Sequence, residues 1–274
     1  MSRLRTLATC LATTVAVLAP LSALPADAAG GTDFTGIAAL SNCSASVVRF
    51  ADSQPTEKAL VLTNGHCYER GFLQAGQVLL NQRSSRTITL LKPDGSTAGS
   101  TRATTILYGT MTRTDVLLYQ VRDSYATLQS KYGVTPLTLS QSGPSVGGGI
   151  AVVSGYWKRI YTCSVEEIVY ELREGDWTWF DSIQYHQPGC ETIGGTSGSP
   201  VVGTTSGQVV GINNTGYEGG TPCTLDNPCE VDQNGNTHVE TGAAYGQQTW
   251  WFYTCITATH SIDLNRSGCL LPKP

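Results

Sequence analysis

From residue 43 onward, apolar residues come in short runs cut by turn residues. The runs 46–50, 60–63, 78–80, 87–91, 116–121, 150–153, 167–172 and 209–212 are rich in Val, Ile, Thr and aromatics. Such side chains suit a pleated, half-buried surface, so each run predicts a strand. Pro93-Asp94-Gly95 and Asn234-Gly235 fall between strand-like stretches and predict hairpin connections. Many short strands at close intervals predict an all-β barrel or sandwich. Two segments read as helical: a short connector over 124–131 and a terminal helix over 244–254. The Gly/Ser/Pro-rich stretch 140–149 reads as a linker, because such composition resists packing into an element. It divides the chain beyond residue 29 almost into halves, 30–139 and 150–274. No repeat recurs at a fixed period, which disfavours a propeller or solenoid.

The first 29 residues follow a different grammar. Arg3 and Arg5 precede a low-polarity run from Leu11 to Leu24, and Ala26-Asp27-Ala28 supplies small residues for cleavage. This predicts a secretory signal peptide over 1–29. The run is shorter than the roughly 20 apolar residues that span a bilayer and contains Pro20, so it is not read as a membrane anchor. No later segment is apolar enough to span. The expectation is a secreted, extracellular chain with no membrane association once the leader is removed. Of nine cysteines, the leader removes Cys10; the remaining eight are an even set suited to disulfides. They are dispersed, with no Cys-x-x-Cys pair, so no metal or other cofactor is expected. Eight cysteines allow 105 pairings, and the spacing does not choose among them.

Composition narrows the partners. Charged residues make up 14% of the chain, well under the roughly 25% of an average soluble domain. The net charge is −4, and no Lys/Arg stripe is present to track a phosphate backbone, so nucleic acid is excluded as a partner.

Three stretches carry chemistry. Leu62-Thr63-Asn64-Gly65-His66-Cys67 runs a strand into a loop bearing His66; Thr114-Asp115-Val116 puts an acid at the head of an apolar strand. Gly194-Gly195-Thr196-Ser197-Gly198-Ser199-Pro200 is a tight glycine-rich loop. A base, an acid to orient it, a hydroxyl and backbone donors for an oxyanion are the parts that hydrolysis by serine needs. In this order, separated by 115 − 66 = 49 and 197 − 115 = 82 residues, the stretches resemble the signatures of chymotrypsin-like serine peptidases of the secreted bacterial type. The histidine motif Thr-Ala-Ala-His-Cys is matched by residues 63–67, with Asn64 and Gly65 as small-residue replacements, and the nucleophile motif Gly-Asp-Ser-Gly-Gly-Pro by residues 195–200.

That resemblance implies two antiparallel six-stranded β-barrels with the active site in the cleft between them. His66 and Asp115 would come from the first, Ser197 from the second, forming a Ser/His/Asp triad. The N–H groups of Gly195 and Ser197 would form the oxyanion hole. The resemblance also implies a Cys43–Cys67 disulfide, and a monomeric endopeptidase acting on protein or peptide substrates. Ser199 is a rival nucleophile by type, but the motif register selects Ser197.

Several positions depart from the family pattern. Thr196 stands where zymogen-activated members carry an aspartate that pairs with a new N-terminus, so that ion pair is not expected. Thr192 resembles the glutamyl endopeptidases, yet Asn213 replaces the histidine with which those enzymes hold an acidic substrate. Glu191 lies six residues before Ser197, where trypsin-like members carry the acid of the specificity pocket, and would favour Lys or Arg; a solvent-facing rim glutamate is the competing reading. His186, His238 and His260 lack partners at useful sequence spacing and read as surface or structural residues. Residues 232–236 superficially suggest a calcium loop, but the glycine is misplaced and a hairpin turn is the better account. Trp250 to Tyr253 read as core packing for the terminal helix, with Cys255 and Cys269 as a staple for the tail. Two other functions compete. A catalytically silent module on the same scaffold is one; an α/β-hydrolase esterase is the other, and it fails because Ser199 occupies the last glycine of Gly-x-Ser-x-Gly.

Overall fold

The computed structural model describes residues 33–186 and 188–274; the signal peptide expected over 1–29 lies outside the described residues. In chain order the elements are β1 (Ile37–Ala39), β2 (Ser44–Arg49), β3 (Lys58–Thr63), β4 (Val78–Arg83), β5 (Thr87–Leu91), β6 (Thr97–Thr110), β7 (Val116–Ser124), α1 (Tyr125–Tyr132) and β8 (Leu137–Thr138). They continue as β9 (Gly149–Ser154), β10 (Arg159–Glu174), β11 (Trp177–Tyr185), β12 (Pro200–Gly203), β13 (Val209–Gly216), β14 (Cys229–Val231), β15 (Thr237–His238), β16 (Ala244–Gln248) and α2 (Trp251–Thr254). The order β1-β5-β6-β7-β3-β2, closed by the β1–β2 pairing, makes one six-stranded antiparallel barrel. The order β11-β16-β13-β12-β9-β10, closed by β10–β11, makes a second.

Each barrel is built from strands that serve two cores at once. Along β3, Ala59 and Val61 point into the first barrel, whereas Leu60 and Leu62 pack outward against residues of the second half. Along β9, Ile150 and Val152 fill the second barrel while Ala151 and Val153 join the shared interface. Successive strand residues face opposite ways, so a strand buried on both faces must be apolar throughout. This explains why the sequence shows continuous apolar runs and not alternation.

The hairpin turns fall where Gly95 and Gly235 predict them, with φ of 80° and 84°. Helix α1 starts as its sequence suggests: the Ser124 hydroxyl accepts the Thr127 N–H at 3.1 Å, and Gly133 ends it in the left-handed conformation. The predicted terminal helix is corrected. Residues 244–248 are strand β16, paired with both β11 and β13, and only Trp251–Thr254 are helical. Gly246 accounts for this: an added Cβ would stand 2.9 Å from the Ile212 carbonyl oxygen, a close strand approach that local helix propensity cannot override. Trp251 and Phe252 are buried in the shared core, as core packing requires.

Four disulfides join Cys43–Cys67, Cys163–Cys190, Cys223–Cys229 and Cys255–Cys269. The last closes a tail that folds back over the first barrel. Leu264 and Leu271 are buried in the shared core, Tyr108 on β6 donates to the Pro272 carbonyl at 2.9 Å, and His260 sits between Asp52 and Glu57. The other two histidines also acquire carboxylate partners that sequence spacing did not reveal: His186 faces Glu240 at 3.4 Å and His238 faces Glu230 at 2.7 Å.

Candidate active site

His66 lies in a short 3-10 turn, Gly65–Cys67, where β3 leaves the first barrel. Its backbone N–H donates to Asp115 Oδ1 at 3.0 Å, and its Nδ1 lies 2.6 Å from Asp115 Oδ2. Asp115, at the entry to β7, is fully buried, while the His66 side chain keeps 16% exposure. Only glycine fits before the histidine: a Cβ on Gly65 would stand 2.1 Å from the Thr110 carbonyl oxygen and 2.8 Å from Asp115 Oδ1. Burial disfavours the imidazolium, but the charge of Asp115 and its hydrogen bond outweigh this, and with Glu174 and Asp226 they raise the His66 pKa above its ordinary 6.5. Among the described residues, the cluster of possible metal ligands is Cys43, His66 and Cys67. Its two sulfurs are joined to each other, leaving no thiolate for a metal.

The nucleophile loop is a turn held from three sides. The Thr196 N–H donates to the Ile193 carbonyl at 2.9 Å, and Gly195, the third residue of that turn, has φ of 88°. A turn of this kind demands positive φ at that position, which glycine supplies. Trp157 Nε1 donates to the Gly194 carbonyl at 2.8 Å, and the Ser44 hydroxyl donates to the Gly195 carbonyl at 3.3 Å. Thr196 itself is buried, its hydroxyl accepting the Ile193 N–H at 3.3 Å. Hydrogen bonds to neutral groups thus brace this turn. Among the described residues, the N–H groups of Gly195 and Ser197 donate to no backbone carbonyl, unlike their neighbours Thr196, Gly198 and Ser199.

Ser197 is partly exposed and its hydroxyl donates to the Asn214 carbonyl at 3.2 Å; no hydrogen bond joins it to His66 among the described residues. Both nonetheless line one open cavity. Ser199 is fully buried, its hydroxyl bound to the Thr196 carbonyl at 2.6 Å. Asn64, read from the sequence as a small-residue replacement, connects the two loops. Its Nδ2 donates to the Asp115 carbonyl at 2.8 Å, and its Oδ1 accepts the Gly198 N–H at 2.5 Å. A side chain two residues before His66 therefore fixes the loop that carries Ser197.

Glu191, Thr192 and Asn213 all line this cavity. The Glu191 carboxylate accepts the Gly189 N–H at 3.1 Å, which holds it below the ordinary glutamate range, and it remains partly exposed. Asn213 is buried on β13 and accepts from the Tyr185 hydroxyl at 2.6 Å. Two buried polar residues stand out among the lining residues that the sequence did not single out. Glu174, at the end of β10, is 4% exposed; Asn214 is 3% exposed. Both hold buried side-chain atoms that lack a hydrogen-bond partner. Burial pushes the Glu174 carboxyl up to about 6, against the opposing influence of the Thr215 hydroxyl, the Asp226 N–H and His66.

Two closed antiparallel barrels with this cleft define a protein of the chymotrypsin-like architecture. The particular branch follows from comparison: residues 43–212, more than half of the chain, match the family model of the trypsin-like peptidase domain, and the chain belongs to that family. No curated protein sequence matches it. Among solved structures it is similar to the active form of the Rv3671c protease from M. tuberculosis, at 15% identity and a TM-score of 0.49, covering 94% of this chain and 97% of that one. The Nocardiopsis protease is similar at 14% identity and 0.45, covering 79% and 93%. The MamO protease domain from Magnetospirillum magneticum is similar at 10% identity and 0.47, covering 79% and 93%.

Proposed function

We propose that this peptidase-family protein is a secreted serine endopeptidase with Ser197 as nucleophile, His66 as general base and Asp115 as the acid that orients it. The observation that carries the reading is the 2.6 Å contact between His66 Nδ1 and a fully buried Asp115, in the cavity that also holds Ser197. A carboxylate there fixes the tautomer that leaves Nε2 free to accept a proton. Residues 30–139 would supply His66 and Asp115, and residues 150–274 would supply Ser197, with 140–149 between them. Residues 1–29 direct export and are removed in the process. Four disulfides fit an oxidising compartment, and among the described residues no helix is long and apolar enough to cross a membrane. The enzyme acts as a monomer on peptide bonds.

The Ser197 hydroxyl first turns from the Asn214 carbonyl toward His66 as substrate binds; such hydrogen bonds often tighten only in the substrate complex. Its oxygen then attacks the scissile carbonyl carbon while its proton passes to His66. The carbonyl oxygen becomes an oxyanion facing the N–H groups of Gly195 and Ser197. Collapse breaks the C–N bond, and the proton on His66 leaves with the amine. Water attacks the remaining Ser197 ester, gives its proton to His66, and releases the acid as Ser197 regains its proton. Glu191, Thr192 and Asn213 contribute walls of the substrate pocket.

The test is labelling with a biotinylated fluorophosphonate, followed by mapping of the modified peptide. Label is expected on Ser197 and is expected to vanish in His66→Ala. Absence of label, with no hydrolysis of denatured casein, would leave a silent binding module as the function.

A further inference from the structure

The cleft contains two polar side chains that the proposed triad does not use. Glu174 Oε1 accepts the Asp226 N–H at 3.0 Å and the Thr215 hydroxyl acts on the carboxylate, but Oε2 is buried with no partner at hydrogen-bond geometry among the described residues. Neither side-chain polar atom of Asn214 has a partner either. Buried polar atoms are nearly always satisfied, and an unpaired buried carboxylate oxygen is among the most unfavourable exceptions. Two such side chains lining one cavity, beside His66 and Ser197, indicate groups kept for a ligand.

The fold explains how Glu174 gets there. Strand β10 runs to Glu174, and the β10–β11 hairpin leans on the first barrel: Trp177 Nε1 donates to the Leu73 carbonyl and Trp179 Nε1 to the Met111 carbonyl, both at 2.9 Å. Phe72 bridges His66 and Trp177, with ring centroids 5.7 and 5.8 Å away. The loop closed by Cys223–Cys229 docks on the hairpin end through the Gly175 N–H to Cys223 carbonyl bond and brings Asp226 and Glu218 to the same cavity. Glu174, Glu191, Glu218 and Asp226 line it, and among the described residues His66 is the one basic group that does.

We infer that Glu174, with Asn214 beside it, forms a subsite that binds a lysine or arginine side chain of the peptide substrate. The inference rests on the proposed peptidase reading and names its substrate class. An ammonium or guanidinium supplies the donors that Glu174 Oε2 and Asn214 Oδ1 lack, and it neutralises a carboxylate that burial otherwise disfavours. Glu191, partly exposed and already engaged by Gly189, is a weaker candidate for this role.

The test compares peptide pairs that differ only by Lys against norleucine or Arg against citrulline, at the position fixed by mapping cleavage of denatured casein. The wild-type protein is expected to favour the cationic member by about 10- to 100-fold in kcat/KM, the scale of a hydrogen bond to a charged group. Glu174→Gln is expected to bring that ratio close to one, while Glu191→Gln keeps it. The ratio should rise with pH through about 6 as Glu174 loses its proton. The titration of His66 affects both members of a pair and cancels; Asp226 is the other charged group acting on Glu174. Equal losses on both members in Glu174→Gln, or loss of preference in Glu191→Gln alone, would overturn the assignment. Binding of the same peptides to Ser197→Ala, measured calorimetrically, separates this inference from the triad. A cationic preference in binding without hydrolysis by the wild type would sink the peptidase reading and keep the subsite; hydrolysis with no preference would do the reverse.

Discussion

The two sides of the cleft differ in how completely their polar groups are used. On the first-barrel side, both carboxylate oxygens of Asp115 are taken up by His66, the Asp115 carbonyl by Asn64, and Gly65 leaves no room for another atom. On the second-barrel side, Ser197 is parked on a carbonyl, and among the described residues the N–H groups of Gly195 and Ser197 lack backbone acceptors and Glu174 and Asn214 hold unpaired atoms. The first arrangement is closed; the second is open. In the proposed reading, pre-organisation of the base and reserved capacity for the peptide fall to different halves of one chain.

The sharpest way to break that contrast is Asp115→Asn, which removes the carboxylate but little volume. A loss of about 10⁴-fold in kcat is expected, with the fold retained, because the amide favours the wrong histidine tautomer. Circular dichroism alongside kinetics would separate this from unfolding. Asn64→Ala tests whether the complete half positions the incomplete one. It leaves the Asp115 carbonyl without its Asn64 donor, while the Gly198 N–H keeps its bond to the Asn213 carbonyl at 3.0 Å, so stability should fall by about 1–2 kcal/mol in denaturant titrations. In kinetics it should lower kcat more than it changes KM, and Asn64→Asp, which keeps the acceptor, should recover part of the loss.

A third measurement sharpens the contrast through pH. Asp115 raises the His66 pKa, so protonated His66 persists above the ordinary 6.5 and the acid limb of kcat/KM should lie above that value. A limb at or below 6.5 would count against the pair as drawn. The smallest effect concerns His260, whose pKa is also raised: burial opposes its charge, but Asp52 and Glu57 outweigh it. Its contribution to stability is therefore full below the unfolded-state value of about 6.5 and is lost as pH rises through the higher folded-state value. Because Asp52 is largely exposed, screening limits this to about 0.5 kcal/mol. The difference in melting temperature between wild type and His260→Gln should be larger at pH 5.5 than at pH 9.

Much of this was legible in the residues. Strand β5 falls on the predicted 87–91, and both glycine turns lie where their dipeptides put them, because these features are decided by neighbours in sequence. The His66 and Ser197 loops carried enough local chemistry to be singled out together. What escaped depends on distant contacts. Glu174 belongs to a strand with exposed Glu166 and Glu167, and nothing in that series marks the last glutamate as buried; the loop around Cys223 makes it so. Asn64 looked like a tolerated small residue since its partners, Asp115 and Gly198, lie 51 and 134 positions away. The terminal helix failed for the same reason, as β11 and β13 claim residues 244–248 for the sheet.

The tail clasped over the first barrel sets an order of events. Leu264, Leu271 and the Cys255–Cys269 loop complete an apolar face whose other contributors, Leu60, Tyr108 and Leu118, are translated more than a hundred residues earlier. A growing chain therefore carries an uncovered outer face on its first barrel until residues 255–271 emerge. The two barrel interiors, which contain none of these tail residues, can pack before them, whereas the shared face is closed only once residues 255–271 are in place.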